Sequence, residues 1–195
     1  MQIQKIEIKN KILDVSSKLF MSGGYKQTSL NDIAKECGIS KSNIYNYFKS
    51  KNCIFDALTV EAKEKLTFIS KLLASNPFVG SENLQEGLLF ILFNHILPVK
   101  EGVILIFDRE MEENDKHYIS DLLDIINNMV VPDLTIDENT DVLKIIAENL
   151  VNGYLNILKA EGQEKNMKYQ IAALTEYHVG GLAFLKQSVM EKKNE

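Results

Sequence analysis

The chain has 195 residues, 45% of them apolar, and a formal net charge of -5. That is ordinary for a globular protein with a real core, and it excludes a disordered or fibrous chain. The charge is unevenly spread: residues 1–51 hold nine Lys against four acids, a net of +5, while the remainder carries a net of -10. A cationic head and an acidic body imply a polyanionic partner for the head and a separate task for the rest.

The two cysteines, Cys37 and Cys53, have no paired spacing and no histidine cluster near them, so neither a zinc site nor a disulfide framework is expected. The N-terminal segment lacks the continuous apolar stretch of a signal peptide. Gly87 to Val99 is the most apolar run; it is too short to span a bilayer and contains Asn94 and His95. A cytoplasmic protein without a membrane partner is expected.

In chain order the apolar residues recur at three- and four-residue spacing, and sustained period-two alternation is missing. The expectation is an all-α fold of about nine helices. Ile8, Ile12, Val15 and Leu19 form one stripe of the first, which Gly23-Gly24 closes. A second starts at Ser29, with Asp32 in capping-box position, and stops at Cys37-Gly38. A third follows Ser40, a good N-cap. A long fourth covers 50–73. Five more are expected over 82–97, 102–112, 115–131, 141–160 and 167–191. Pro98 with Gly102, Pro132 and Gly162 punctuate them, and 132–140 reads as a polar loop.

Chemistry concentrates in Thr28 to Lys51. A short helix, a tight turn at Gly38 and a second short helix make a helix-turn-helix plan. Ile33, Ala34, Ile39, Ile44 and Phe48 read as its buried side. Lys41, Ser42, Asn43, Tyr45, Asn46 and Tyr47 read as its outward side. Asn can bond adenine bidentately and Lys can reach guanine in the major groove, while Tyr and Lys bind phosphates.

Over residues 8–58 the chain resembles the N-terminal domain of the TetR family of transcriptional regulators. The likeness rests on Ile12-Leu13, Leu19-Phe20, Gly24-Tyr25, Thr28-Ser29, Asp32-Ile33-Ala34, Gly38-Ile39-Ser40, Ile44-Tyr45, Tyr47-Phe48 and Lys49-Ser50-Lys51. Ser16 departs from it, where Ala is common, as does Asn52-Cys53, where an acidic residue and its follower are usual. The resemblance implies base reading by Lys41, Ser42, Asn43 and Asn46, with Asn31 as a further candidate. It implies phosphate clamping by Thr28 or Ser29, Tyr45, Tyr47 and Lys51. It also implies a DNA-binding domain over 1–51 and a helical ligand-binding and dimerisation domain over 52–195. The last two helices would pair with those of a second copy; Ala172, Ala173, Gly180, Gly181 and Ala183 permit close approach.

Polar and aromatic residues inside the apolar body are candidates for a small-molecule site: Phe90, Phe93, His95, Phe107, Asp108, Arg109, Asn149, Tyr154 and Tyr177. The function expected is a homodimeric repressor on a near-palindromic operator in double-stranded DNA, released by a small-molecule ligand. The alternative is a protein of the same fold in DNA organisation or cell division, without such an inducer. No nucleophile–base pair, phosphate loop or metal cluster stands at motif spacing, so neither an enzyme nor a cofactor or metal is expected.

Overall fold

A computed structural model describes residues 2–75, 84–113, 117–118, 120–121, 124, 140–160 and 164–193. The helices in chain order are α1 (Gln2–Gly23), α2 (Leu30–Cys37), α3 (Lys41–Tyr45), α4 (Lys51–Ser75), α5 (Leu84–Ile91), α6 (Lys100–Glu113), α7 (Thr140–Lys159) and α8 (Glu164–Lys193). A π-helical turn, Leu92–Ile96, and a 3₁₀ turn, Leu97–Val99, join α5 to α6. The described residues contain no strand, so the all-α expectation holds, with fewer separate helices than the nine anticipated. The helix expected over 115–131 lies mostly outside the described residues, although His117, Tyr118, Ser120, Asp121 and Asp124 within it are helical. The loop expected over 132–140, apart from Thr140 at the start of α7, and the break at Gly162 also lie outside them.

Two sequence-based expectations need correction here. Pro98 and Gly102 do not interrupt the chain between α5 and α6. Pro98 stands in the first turn of the 3₁₀ segment, where its missing N–H leaves no bond unmade. Gly102 lies inside α6 for a packing reason: a Cβ there would stand 2.7 Å from the Ala62 Cβ and 3.4 Å from the Leu58 carbonyl oxygen. The helical path Gln85–Arg109, 25 residues, is therefore long and apolar enough to cross a membrane by length and composition, as the shorter apolar run alone was not. Core helices of globular units meet the same test, and residues 102–107 of this path are all buried.

Contacts gather the chain into two units. The first comprises Met1–Glu64 with Glu101–Lys116. Its core joins Ile12 and Phe20 of α1, Tyr25 of the following loop, Ile33, Ala34 and Cys37 of α2, and Ile44 of α3. Phe48, Ile54 and Phe55 complete it, together with Leu105 of α6. Gly24, at φ 83°, turns the chain out of α1 in a conformation other residues resist. That turn brings Tyr25 against Phe20 and Phe55, with ring centroids 5.2 and 5.0 Å away and both pairs edge-on, the arrangement the ring quadrupoles favour. The Arg109 guanidinium of α6 lies 4.6 Å from the Tyr25 centroid and 4.6 Å from that of Phe55. Ser16, the first departure from the family pattern, is fully buried in α1, and its hydroxyl has no hydrogen-bond partner among the described residues.

The second unit comprises Lys65–Lys100 with His117–Glu195. Ala147, Val151, Leu155 and Leu158 follow the helical period along α7 and are buried, as are Met167 and Ile171 of α8. Gly153 of α7 admits the Leu174 side chain so closely that a Cβ would stand 2.9 Å from it. The Tyr154 hydroxyl and Thr175 Oγ1 share a hydrogen bond of 2.7 Å across this pair of helices. Burial pushes the Tyr154 phenol above its ordinary pKa, against the opposing effect of that bond.

Candidate nucleic-acid interface

The geometry of α2, its turn and α3 follows from four residues. Ser29 caps α2: its Oγ accepts from the Asp32 N–H at 3.3 Å, while the Ser29 N–H donates to the Asp32 carboxylate at 2.8 Å. The Ser29 hydroxyl also donates to that carboxylate, at 2.6 Å. These bonds, the side-chain one first, hold Asp32 ionised below its usual carboxylate pKa. At the other end Gly38 takes the left-handed conformation, φ 66°. The Gly38 N–H then meets the Lys35 carbonyl at 3.1 Å and the Ile39 N–H meets that of Ala34 at 3.0 Å, a Schellman closure. Two residues on, Ser40 caps α3 by accepting from the Asn43 N–H at 3.2 Å. The turn between the two helices is thus determined at both edges.

Ile44 is buried beneath α3, and the Phe48 N–H reaches its carbonyl at 2.9 Å. That anchorage leaves Lys41, Ser42, Tyr45 and Asn46 exposed and Asn43 half-buried. The structure therefore brings the four proposed base readers onto one short helix. Asn46 Nδ2 donates to Asn43 Oδ1 at 3.2 Å, so the two amides form a joined polar edge, and Ser42 shares a bond with Ser40 at 2.9 Å. Asn31 is exposed on α2.

The phosphate-clamp candidates are placed less uniformly. Tyr45 is exposed, whereas Tyr47 packs partly against the core and is less outward than the sequence implied. Thr28 is turned inward; its hydroxyl donates to the Gly24 carbonyl at 2.9 Å and closes the loop after α1. Lys51, at the start of α4, donates to the carbonyls of Tyr25 and Thr28 at 2.7 and 2.9 Å, and its ammonium lies 4.1 Å from the Tyr25 ring centroid. In this chain Lys51 ties the α1–α2 loop to α4. Asn52, the second departure from the family pattern, accepts from the Tyr25 hydroxyl and fastens the same loop.

The nine ligand-site candidates are divided between the two units. Phe107, Asp108 and Arg109 belong to the first unit, where Phe107 is buried and Arg109 stacks on core aromatics. The other six belong to the second. There Phe90 stands beside His95, with centroids 5.9 Å apart, and Phe68, which sequence reasoning missed, faces His95 at 5.5 Å. Phe93 lies under the Lys168 ammonium at 5.7 Å. Tyr154 is engaged with Thr175, Asn149 is exposed, and Tyr177 is exposed beside His178. No spacing in the chain could have paired Phe68 with His95 or Arg109 with Tyr25.

Comparison with known proteins agrees with the geometry of the first unit. Residues 12–58 match the family model described as bacterial regulatory proteins, tetR family. The chain is 28% identical over 177 residues to the uncharacterised HTH-type transcriptional regulator YerO of Bacillus subtilis, covering 80% of this chain and 58% of that protein. It is 29% identical over 100 residues to IcaR of Staphylococcus aureus, the HTH-type negative transcriptional regulator of the biofilm operon icaADBC; the match covers 51% of this chain and 52% of IcaR. The chain thus spans little more than half the length of each of these relatives. Among solved structures, NalD of Pseudomonas aeruginosa, the secondary repressor of the MexAB-OprM multidrug efflux pump, overlays with a TM-score of 0.49 at 15% identity, covering 89% of this chain and 96% of its own. Residues 12–58 are thus similar to the N-terminal module of the tetR family of bacterial regulatory proteins, and the longer alignment runs to an HTH-type transcriptional regulator.

Proposed function

We propose that the protein is a homodimeric transcriptional repressor that sits on a near-palindromic operator and is released from it by a small molecule. In this reading residues 1–51 form the DNA-binding domain and residues 52–195 the ligand-binding and dimerisation domain. The observation that carries DNA binding is α3. It is capped by Ser40 and anchored by Ile44, and it carries Lys41, Ser42 and Asn43, with Asn46 at its C-cap bonded to Asn43. Such a helix inserts its N-terminal residues into the major groove while flanking groups hold the phosphates. We assign Ser29, Tyr45, Tyr47 and Lys51 to that flanking role.

Homodimerisation is supported by α8. Tyr169, Tyr177 and Phe184 are 77, 75 and 70% exposed, and with Ala173 and Gly180 they fall on one helical stripe. A Cβ at Gly180 or Gly181 would meet nothing within 4 Å among the described residues, so no packing among them calls for two mid-helix glycines. A second α8 laid against the stripe would cover it and use the close approach that glycine permits. Two linked modules then make the second half-site contact intramolecular.

Ligand release requires a link between the units. Residues 51–64 of α4 fall in the first and 65–75 in the second, and the α5–α6 path is shared in the same way. Binding in the body would act through its differential affinity for the operator-competent shape, with reciprocal coupling of about 1–3 kcal/mol. Footprinting on selected operators tests the core of this reading. Protection of two half-sites about 34–36 Å apart, or a multiple of it, is expected; a single half-site held by a monomer would overturn it.

A further inference from the structure

Ile44 is the buried anchor of α3, and Asn46, its C-cap, keeps the right-handed helical conformation. At about 100° per residue, Asn46 therefore lies about 200° round the axis from Ile44. That puts it opposite the core, at the middle of the outward side, with Asn43 on its flank. Exposure agrees: Asn46 is exposed and Asn43 half-buried. Ser42 shares the outward side, but its hydroxyl is joined to that of Ser40 at 2.9 Å. Asn46 Nδ2 donates to Asn43 Oδ1 at 3.2 Å. The bond uses one of the two Asn46 N–H groups and leaves Oδ1 and the second N–H for an outside partner. Asn43 is itself held at the helix start, because its backbone N–H donates to the Ser40 cap at 3.2 Å. A side-chain amide alone is an ambiguous reader, since half a turn exchanges its donor for its acceptor. The bond to Asn43 removes that ambiguity.

An acceptor beside a donor on one planar amide matches the N6 amine and N7 of adenine in the major groove. We propose that Asn46 reads an adenine in each operator half-site and that Asn43 is the positioning residue that fixes the Asn46 amide for it. The two bonds are compatible. The amide pairs with adenine through its oxygen and the N–H on the oxygen's side, so the N–H on the far side meets Asn43. A bond in the opposite sense, from Asn43 Nδ2 to Asn46 Oδ1, would engage the oxygen and leave donors leading. It would favour guanine, whose O6 and N7 both accept. Asn43 therefore sets the base preference through Asn46 and not by its own contact with the base. This assignment rests on the DNA-binding reading of α3 and names the base pair that α3 selects.

The test selects operators from a pool of randomised duplexes with the full-length protein and repeats the selection with variants. The wild type should enrich a site in which one A·T pair per half-site loses its preference in Asn46→Ala. At that pair adenine should be favoured over guanine at least roughly fivefold per half-site, the low end for a bidentate contact. Replacing that adenine by 7-deazaadenine, which lacks the N7 acceptor, should weaken binding of the wild type and leave that of Asn46→Ala unchanged. Asn43→Ala should shrink the preference at the same pair and spare the other positions. Asn43→Asp keeps an oxygen for the Asn46 N–H; it should restore the preference while its charge weakens binding to all sequences. A guanine preference at the Asn46-dependent pair, indifference to 7-deazaadenine, or no pair that responds to Asn46→Ala would overturn the adenine assignment. A preference undiminished in Asn43→Ala would overturn the positioning role. Each of these results leaves operator binding itself standing. Enrichment of no sequence at all would overturn the DNA-binding reading, and this assignment with it.

Discussion

The two units treat their large apolar side chains differently. The first turns Phe20, Tyr25 and Phe55 into a common core and exposes polar side chains along α3. The second buries one face of α7 and α8, yet leaves Ile145, Tyr169, Tyr177 and Phe184 uncovered, with Phe68 and Phe90 open beside His95. A helix apolar on two sides is built for the inside of something larger than one chain. In the proposed reading the head acts through polar groups on its surface, while a second copy, a ligand or both cover what the body exposes.

The largest expected effect concerns the core of the head. Phe55→Ala removes a buried ring that touches Phe20 and Tyr25 and lies under Arg109, and should cost about 3–5 kcal/mol in urea unfolding. A loss below about 1 kcal/mol would mean that this core does not hold the unit together. The body is probed by Tyr177→Glu on the exposed stripe of α8. Two carboxylates meeting across a symmetric interface should raise the dimer dissociation constant roughly hundredfold or more, read by sedimentation, with the helical content of the chain unchanged. An undiminished dimer would move the interface off α8.

Four smaller effects sharpen the contrast. Asn46→Ala should lose discrimination between operator bases by about 1–3 kcal/mol. Lys51→Ala, which loosens the Tyr25–Thr28 loop, should weaken binding to all sequences alike. Competition binding with operator variants separates the two, and a reversed pattern would exchange their roles. Ser16→Ala should stabilise the head by about 1 kcal/mol in thermal or urea melts, because it removes a buried hydroxyl without a partner and installs a better helix former. A loss of stability would reveal a partner for that hydroxyl. The smallest effect is a pH dependence in the body. Burial lowers the His178 pKa below its ordinary value, so the folded state binds the proton less readily than the unfolded chain. The stability tied to neutral His178 is complete above about pH 6.5 and is lost as the pH falls from there through the lower pKa of the folded state. Urea midpoints taken on either side should differ in the wild type and converge in His178→Gln.

Where residues act on neighbours three or four positions away, the sequence was a sufficient guide. Ser29 with Asp32, Gly38 and Ser40 set the ends of α2 and α3, because a cap is a bond between near neighbours and a left-handed turn is a property of one residue. The order of the base-reading candidates along α3 follows directly from those caps. The helix expected over 141–160 is present as α7, Thr140–Lys159.

Docking of distant segments decided the rest. Arg109 reads as a candidate for the ligand site until α6 is seen to stack it on Tyr25 and Phe55. Gly102 reads as a helix break until Ala62 is found where its Cβ would be. Lys51 reads only as a phosphate clamp until its ammonium is seen also to bond the carbonyls of Tyr25 and Thr28. His95 meets the Phe68 ring, which stands on another helix. Caps and turns are satisfied within one stretch of backbone, so composition and spacing determine them. Stacking and close approach depend on which helix faces which, and only the tertiary structure settles that.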